Sequence, residues 1–179
     1  MKTNSSKITL CAMLAALSVL FMLMGYFPYF TYTAPAVAGV LLMIAVIEID
    51  LKWALGTYIA SSVIIFLIGE TESKLMYVFL FGFYPIVKAA VERIRKPVLE
   101  WIVKLAVFNA AVLAVYGALS FVFDLSVDDF GAFGEYGALI LLAFGNFVFV
   151  IYDIAVSRLS QFYFARLHDK IQKILKINR

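Results

Sequence analysis

Residues 8–26 read ITLCAMLAALSVLFMLMGY, a run without a single charge, and that run decides the class of fold. A helix needs about 20 predominantly apolar residues to cross a hydrocarbon core about 30 Å thick. The run has that length, and Lys2 and Lys7 stand just before it. Five more apolar stretches follow, at 34–49, 53–69, 75–91, 98–123 and 136–156. The chain has 179 residues, of which 64% are hydrophobic and 15% charged. Its mean hydropathy is +0.97. Soluble domains run at roughly 45–50% apolar and about 25% charged. One small soluble core cannot bury this excess. The expectation is an all-α integral membrane protein with six transmembrane helices in one bundle.

The charges set the boundaries and the direction. Glu48, Asp50 and Lys52 alone divide the second stretch from the third, and Glu70 and Glu72 close the third. With the N-terminus inside, Lys2, Lys7, Lys52, Arg93, Arg95, Lys96, Arg158 and the basic tail all fall on the cytoplasmic side. Lys74 alone falls outside, among Glu70, Glu72, Asp124, Asp128, Asp129 and Glu135. Lysine and arginine favour cytoplasmic loops, so an N-in, C-in topology is expected. Ala34-Pro35-Ala36 resembles a signal-peptidase site. The stretch before it is too long and too aromatic for an ordinary signal peptide. Cleavage there would leave five spans and break the charge pattern.

The organisation is one membrane domain over 1–158 and a tail over 159–179. In the tail Phe164, Leu167, Ile171, Ile174 and Leu175 recur at helical spacing, with Arg166, Lys170, Lys173, Lys176 and Arg179 on the other face. Such a basic amphipathic helix suits an anionic inner leaflet. It serves either as a topogenic tail or as a docking surface.

Polar groups in hydrocarbon are costly, so they face protein or a cavity. Asn109, Tyr116 and Ser120 share one face of the fifth helix, interrupted by Leu113. Tyr77, Phe81, Tyr84 and Lys88 share a face of the fourth, and Asn146 and Asp153 lie seven apart on the sixth. On the third, Thr57 and Ser61 are one turn apart, as are Tyr58 and Ser62. At about 1.5 Å per residue, Tyr84, Asn109 and Asn146 reach one level near mid-bilayer. Either they line a pocket opening outward, or the two asparagines are hydrogen-bond glue between helices. Pro85, after Gly82, is expected to kink the fourth helix. A second layer, Glu48, Lys88, Glu100, Lys104 and Asp153, lies near the inner face. Within it Lys88, Lys104 and Asp153 could form a shared ion-pair network; structural pairing or snorkelling is the favoured reading, a proton relay the alternative. The uncharged loop Tyr26-Phe27-Pro28-Tyr29-Phe30-Thr31-Tyr32-Thr33 is either an interfacial aromatic belt or a lid whose rings, Tyr29 and Tyr32 among them, cover a bound molecule.

No Walker A loop, HExxH or GxSxG is present, and one cysteine, Cys11, with one histidine, His168, builds no zinc site. The chain is expected to be no enzyme, to use no cofactor or metal and to bind no nucleic acid, since its basic residues are membrane-proximal.

Ala12-Met13-Leu14-Ala15-Ala16 on the first helix contains an Ala-xxx-Ala pattern. Small residues let helices approach closely. With the length, six spans, N-in topology and aromatic first outer loop, this resembles the S components of energy-coupling factor transporters. Those are small membrane subunits of bacterial importers for vitamins and similar micronutrients. The resemblance covers roughly residues 5–158 and implies partners: a small-molecule substrate, a T subunit contacted through Ala12 and Ala16, two ABC-type ATPases, and membrane lipids. It implies a plasma-membrane location and a ligand in the outer half under the first and third outer loops. By position, Tyr29, Tyr32, Tyr77, Tyr84, Asn109, Tyr116 and Asn146 are the residues for it. The scarcity of charge there suits a neutral or weakly polar ligand. The basic tail departs from the family's needs. Two other roles compete: a cell-envelope scaffold akin to the membrane proteins of the rod complex, and, ranked last, a small enzyme acting on lipid.

Overall fold

A computed structural model describes residues 4–121 and 137–174. The described residues are helical, with no strand among them. Helix α1 spans Asn4–Leu23 and ends in a 3-10 turn, Met24–Tyr26; α2 spans Thr33–Glu48 and α3 Leu51–Ile68. The next span is broken: α4 is Thr71–Met76, a π-helical segment covers Tyr77–Phe81, α5 is Tyr84–Val91, and a 3-10 turn follows at Glu92–Ile94. Then come α6, Pro97–Phe121, α7, Gly137–Arg166, and the short α8, His168–Ile174.

Helix starts follow local chemistry. Asp50 accepts hydrogen bonds from the backbone N–H of Lys52 and Trp53, at 2.8 and 3.1 Å. Glu70 does the same for Glu72 and Ser73 at the start of α4. Both occupy orphan donors of a first helical turn. Pro97 opens α6, where its missing N–H costs nothing. Arg95 takes up the left-handed turn before it, with φ 57°.

Among the described residues five segments are long and apolar enough to cross a membrane: Asn4–Tyr26, Leu51–Ile68, Thr71–Ile94, Pro97–Ala118 and Leu142–Arg166. The chain therefore reads as a multi-pass membrane protein. Helix α2 is apolar but has 16 residues, roughly 24 Å of helix. It packs against α1, α3, α5 and the π segment. Ala38, Leu42 and Ala45 on it are fully enclosed. Its neighbours, rather than lipid, cover its sides. Contacts place the start of α1 beside the start of α3, where Lys7 lies over the Trp53 ring. At the other end the Tyr26 hydroxyl donates to the carbonyl of Ile68. Helices α1 and α3 therefore run in the same direction, with α2 returning between them.

Two expectations change in detail. The kink of the fourth span is a break. Gly82 N–H bonds back to Tyr77 O, five residues away, at 2.8 Å. Pro85 has no N–H and crowds the carbonyl four residues earlier, that of Phe81. The ladder is therefore interrupted before the proline rather than bent at it. Gly39 of α2 sits against this spot. A Cβ there would come 2.2 Å from Phe81 O. The sixth helix also runs beyond 156, to Arg166. The first part of the tail continues α7, and only His168–Ile174 folds separately.

Candidate functional site

Among the described residues, side-chain hydrogen bonds and ion pairs gather much of the buried polar material of the interior into three clusters. In the first, Asn109 of α6 and Asn146 of α7 face each other. Each amide nitrogen donates to the other's oxygen at 3.0 Å. Each also donates to a backbone carbonyl one turn back in its own helix, Leu105 and Leu142, both at 2.8 Å. An asparagine amide has two N–H donors, so the ring of bonds uses all four.

The second cluster is ionic. Tyr84, Lys88 and Glu92 fall on one face of the fourth span at i, i+4 and i+8. Asp153 accepts from the Tyr84 hydroxyl and from Lys88 Nζ. Lys104 Nζ of α6 lies 3.2 Å from Asp153 and 3.0 Å from Glu92. Lys88 reaches Glu92 at 2.9 Å. Lys88, Lys104 and Asp153 are buried, while the Glu92 side chain is 43% exposed. Two cations and two anions close a formally neutral set that ties α5, α6 and α7 together. Glu92 was absent from the expected inner layer, and its signal was the i, i+4 spacing from Lys88. Glu100, which was expected in that layer, is not among the cluster's contacts.

The third cluster joins the last helix to α2. The Glu48 carboxylate is fully buried. It accepts from the Tyr163 hydroxyl, and His168 Nδ1 lies against the same oxygen, each at 2.7 Å. Gln172 Nε2 meets the other imidazole nitrogen at 2.8 Å. Beside it Ile171 packs on Met43, Val156 and Tyr163. The amphipathic tail therefore docks by Ile171, His168 and Gln172, leaving Phe164 and Leu167 exposed.

Aromatic rings fill the space between the clusters. Phe108 stacks on Phe149 at 4.5 Å, and Phe149 meets Tyr84 edge-on at 5.0 Å. Phe81 meets Tyr152 edge-on, also at 5.0 Å. Of the expected ligand residues, the structure brings Asn109 and Asn146 together. Tyr84 belongs to the ionic cluster. Tyr77 is enclosed by Met22, Ala38, Leu42 and Ile65, with its hydroxyl 2.7 Å from Ser61 Oγ. Tyr29, Tyr32 and Tyr116 are exposed, Tyr29 at 94%. Tyr77 and Tyr84 are thus enclosed by other side chains, while Tyr29, Tyr32 and Tyr116 stand at the surface. The first loop is fixed: besides the Tyr26 bond, Ser73 Oγ donates to Thr31 O at 2.8 Å. Ala12 and Ala16 are exposed on α1, whose Leu10, Leu14, Ala15, Ser18 and Met22 are buried. Asp124, Asp128, Asp129 and Glu135, the Ser120 side chain, and residues 175–179 lie outside the described residues. Among the described residues no three His, Cys, Asp or Glu side chains are grouped to hold a metal ion.

No family model, no curated protein and no solved structure matches this chain.

Proposed function

We propose that the chain is the substrate-capturing membrane subunit of an ECF-type ABC importer, with six spans in an N-in, C-in bundle in a bacterial plasma membrane. A separate T subunit and two ABC-type ATPases would energise it, and its ligand would be a vitamin or similar micronutrient. The observation behind this is the division of labour on α1. One face is buried against α2 and α3, and the small-residue pair Ala12 and Ala16 is left facing outward. A membrane helix uses such a patch for close approach to another helix.

Ligand capture falls to the outer half. The pinned aromatic loop supplies Tyr29 and Tyr32, and Tyr116 lies exposed on α6. Asn109 and Asn146 serve a ligand only when their cross-bonds open, and a ligand amide or carbonyl replaces what each loses. Tyr77 and Tyr84 act behind them through packing.

Co-expression with the host's T subunit and two ATPases tests the proposal. A four-part complex in detergent is expected, abolished by Ala16→Trp while ligand binding by the isolated subunit survives. A chain that purifies alone under those conditions sinks it.

A scaffold role is the second reading, favoured by the inner end of the bundle. Arg93, Arg95, Lys96, Arg158, Arg166, Lys170 and Lys173 are all exposed, and α8 is held against α2. Removal of residues 168–179 with loss of cell shape and intact uptake would favour it.

A further inference from the structure

A groove of about 310 Å³ opens on the surface between α3 and the π segment, lined by Ser62, Val63, Phe66, Leu67 and Val78. Both walls belong to segments long and apolar enough to cross a membrane. Water gains nothing in such a slot, and lipid chains are the surrounding medium. The π segment shapes its floor. The Tyr58 hydroxyl reaches across from α3 and donates to Val78 O at 2.6 Å, which holds the two walls at fixed separation. Val63 and Leu67 on the rim are exposed.

Any lipid-facing surface touches acyl chains, but this groove has a charge at its mouth. Lys74 Nζ lies 5.5 Å over the Phe66 ring, the same ring that walls the groove. Lys74 sits in α4, beside the end of α3, where a Cβ added to Gly69 would come 3.2 Å from Lys74 Cβ. That is the end of the bundle at which headgroups lie, and Lys74 is the lysine that stood against the charge pattern. Its ammonium has three donors, enough to serve protein partners and a phosphate together. A cation over a ring, next to an apolar slot, matches the two parts of a phospholipid.

We propose that this groove is a binding site for one phospholipid with an anionic headgroup, its acyl chain in the slot and its phosphate on Lys74. The observations require only that these segments lie in a bilayer. The site therefore stands or falls apart from the importer reading.

The test is native mass spectrometry of the full-length protein from nanodiscs containing equal phosphatidylglycerol and phosphatidylcholine. The wild type is expected to retain one phosphatidylglycerol several-fold over phosphatidylcholine. Lys74→Gln should erase that preference while a chain is still retained. Val63→Trp should fill the groove and abolish retention, whereas Leu20→Trp on the exposed face of α1 should change nothing. Melting temperature in detergent checks that each variant is folded, and Lys74→Gln, which changes no packed apolar group, carries the test if Val63→Trp fails to fold. Equal retention of the two lipids by the wild type, a preference unchanged in Lys74→Gln, retention unchanged in Val63→Trp, or a protein rather than a lipid in the groove would each overturn the proposal.

Discussion

Asp153 concentrates more of the interior's polar contacts than any neighbour in its cluster. It answers Tyr84, Lys88 and Lys104 at once. Removing one partner from a buried ion set leaves charge uncompensated, at about 3–5 kcal/mol. Asp153→Asn is therefore expected to cost that much in a reversible unfolding titration in detergent. Lys88→Met in the same chain should recover part of the loss, because one cation leaves with the anion. The asparagine pair makes a different demand. Its ring is neutral, and interhelical polar pairs in membranes couple by about 0.6 kcal/mol on average, at most about 1.7. A double-mutant cycle of Asn109→Leu and Asn146→Leu should return a coupling in that range. If the pair also serves a ligand, each single variant should lose the ligand-induced rise in melting temperature. A cycle with zero coupling would remove the structural role. Sequence spacing placed Asn109, Asn146, Lys88, Lys104 and Asp153 inside the bundle and offered the asparagine pair and the Lys88–Lys104–Asp153 network as groupings. It had no means to add Tyr84 and Glu92 to that network, because the rotation of each helix about its axis decides who meets whom.

At the scale of elements, the break in the fourth span is the feature that sequence read least fully. Gly82 and Pro85 announced a distortion. That it takes the form of a π segment depends on α2, which lies against it. Gly39 is the contact. An added methyl would meet Phe81 O at 2.2 Å and Phe81 C at 2.8 Å, both backbone atoms that cannot rotate away. Overpacking of this kind costs typically about 1–3 kcal/mol. Gly39→Ala should destabilise by at least that in the same titration, while Gly56→Ala, with nothing within 4 Å of its new methyl, should be neutral or better. The tail offers a second case. Its periodicity was legible, but its docking was not, because Glu48 lies 120 positions before His168. Glu48→Gln keeps the shape and removes the charge that His168 and Tyr163 address. Trypsin should then cut after Arg166 or Lys170 several-fold faster than in the wild type, and unchanged cutting would mean that apolar packing of Ile171 alone holds the helix.

Six apolar stretches were legible from hydropathy, yet the second helix is too short to pass as a span on length alone. What makes it tenable is position. With Ala38, Leu42 and Ala45 enclosed by α1, α3 and α5, its backbone and side chains meet protein along most of its length, and hydrocarbon has little of it to cover. Among the described residues α2 packs against α1, α3 and α5, and the starts of α1 and α3 lie at the end where α2, α5 and α7 finish. The proposed N-in, C-in topology puts that end in the cytoplasm. The single Cys11 makes this measurable, since Cys11→Ser gives a background without thiols. On intact cells, a membrane-impermeant maleimide should label Tyr29→Cys, which is exposed in the first loop. It should leave Lys52→Cys, Arg93→Cys and Lys170→Cys unlabelled until the membrane is opened. The reverse pattern would invert the bundle without disturbing a single internal contact. It would move Ala12 and the basic end to the opposite leaflets and remove the importer reading, which needs the aromatic loop outside. Labelling of Tyr29→Cys and Lys52→Cys from the same side would be the deeper failure. It would mean that α2 turns back within the bilayer, and that the bundle has five crossings and one re-entrant helix at its centre.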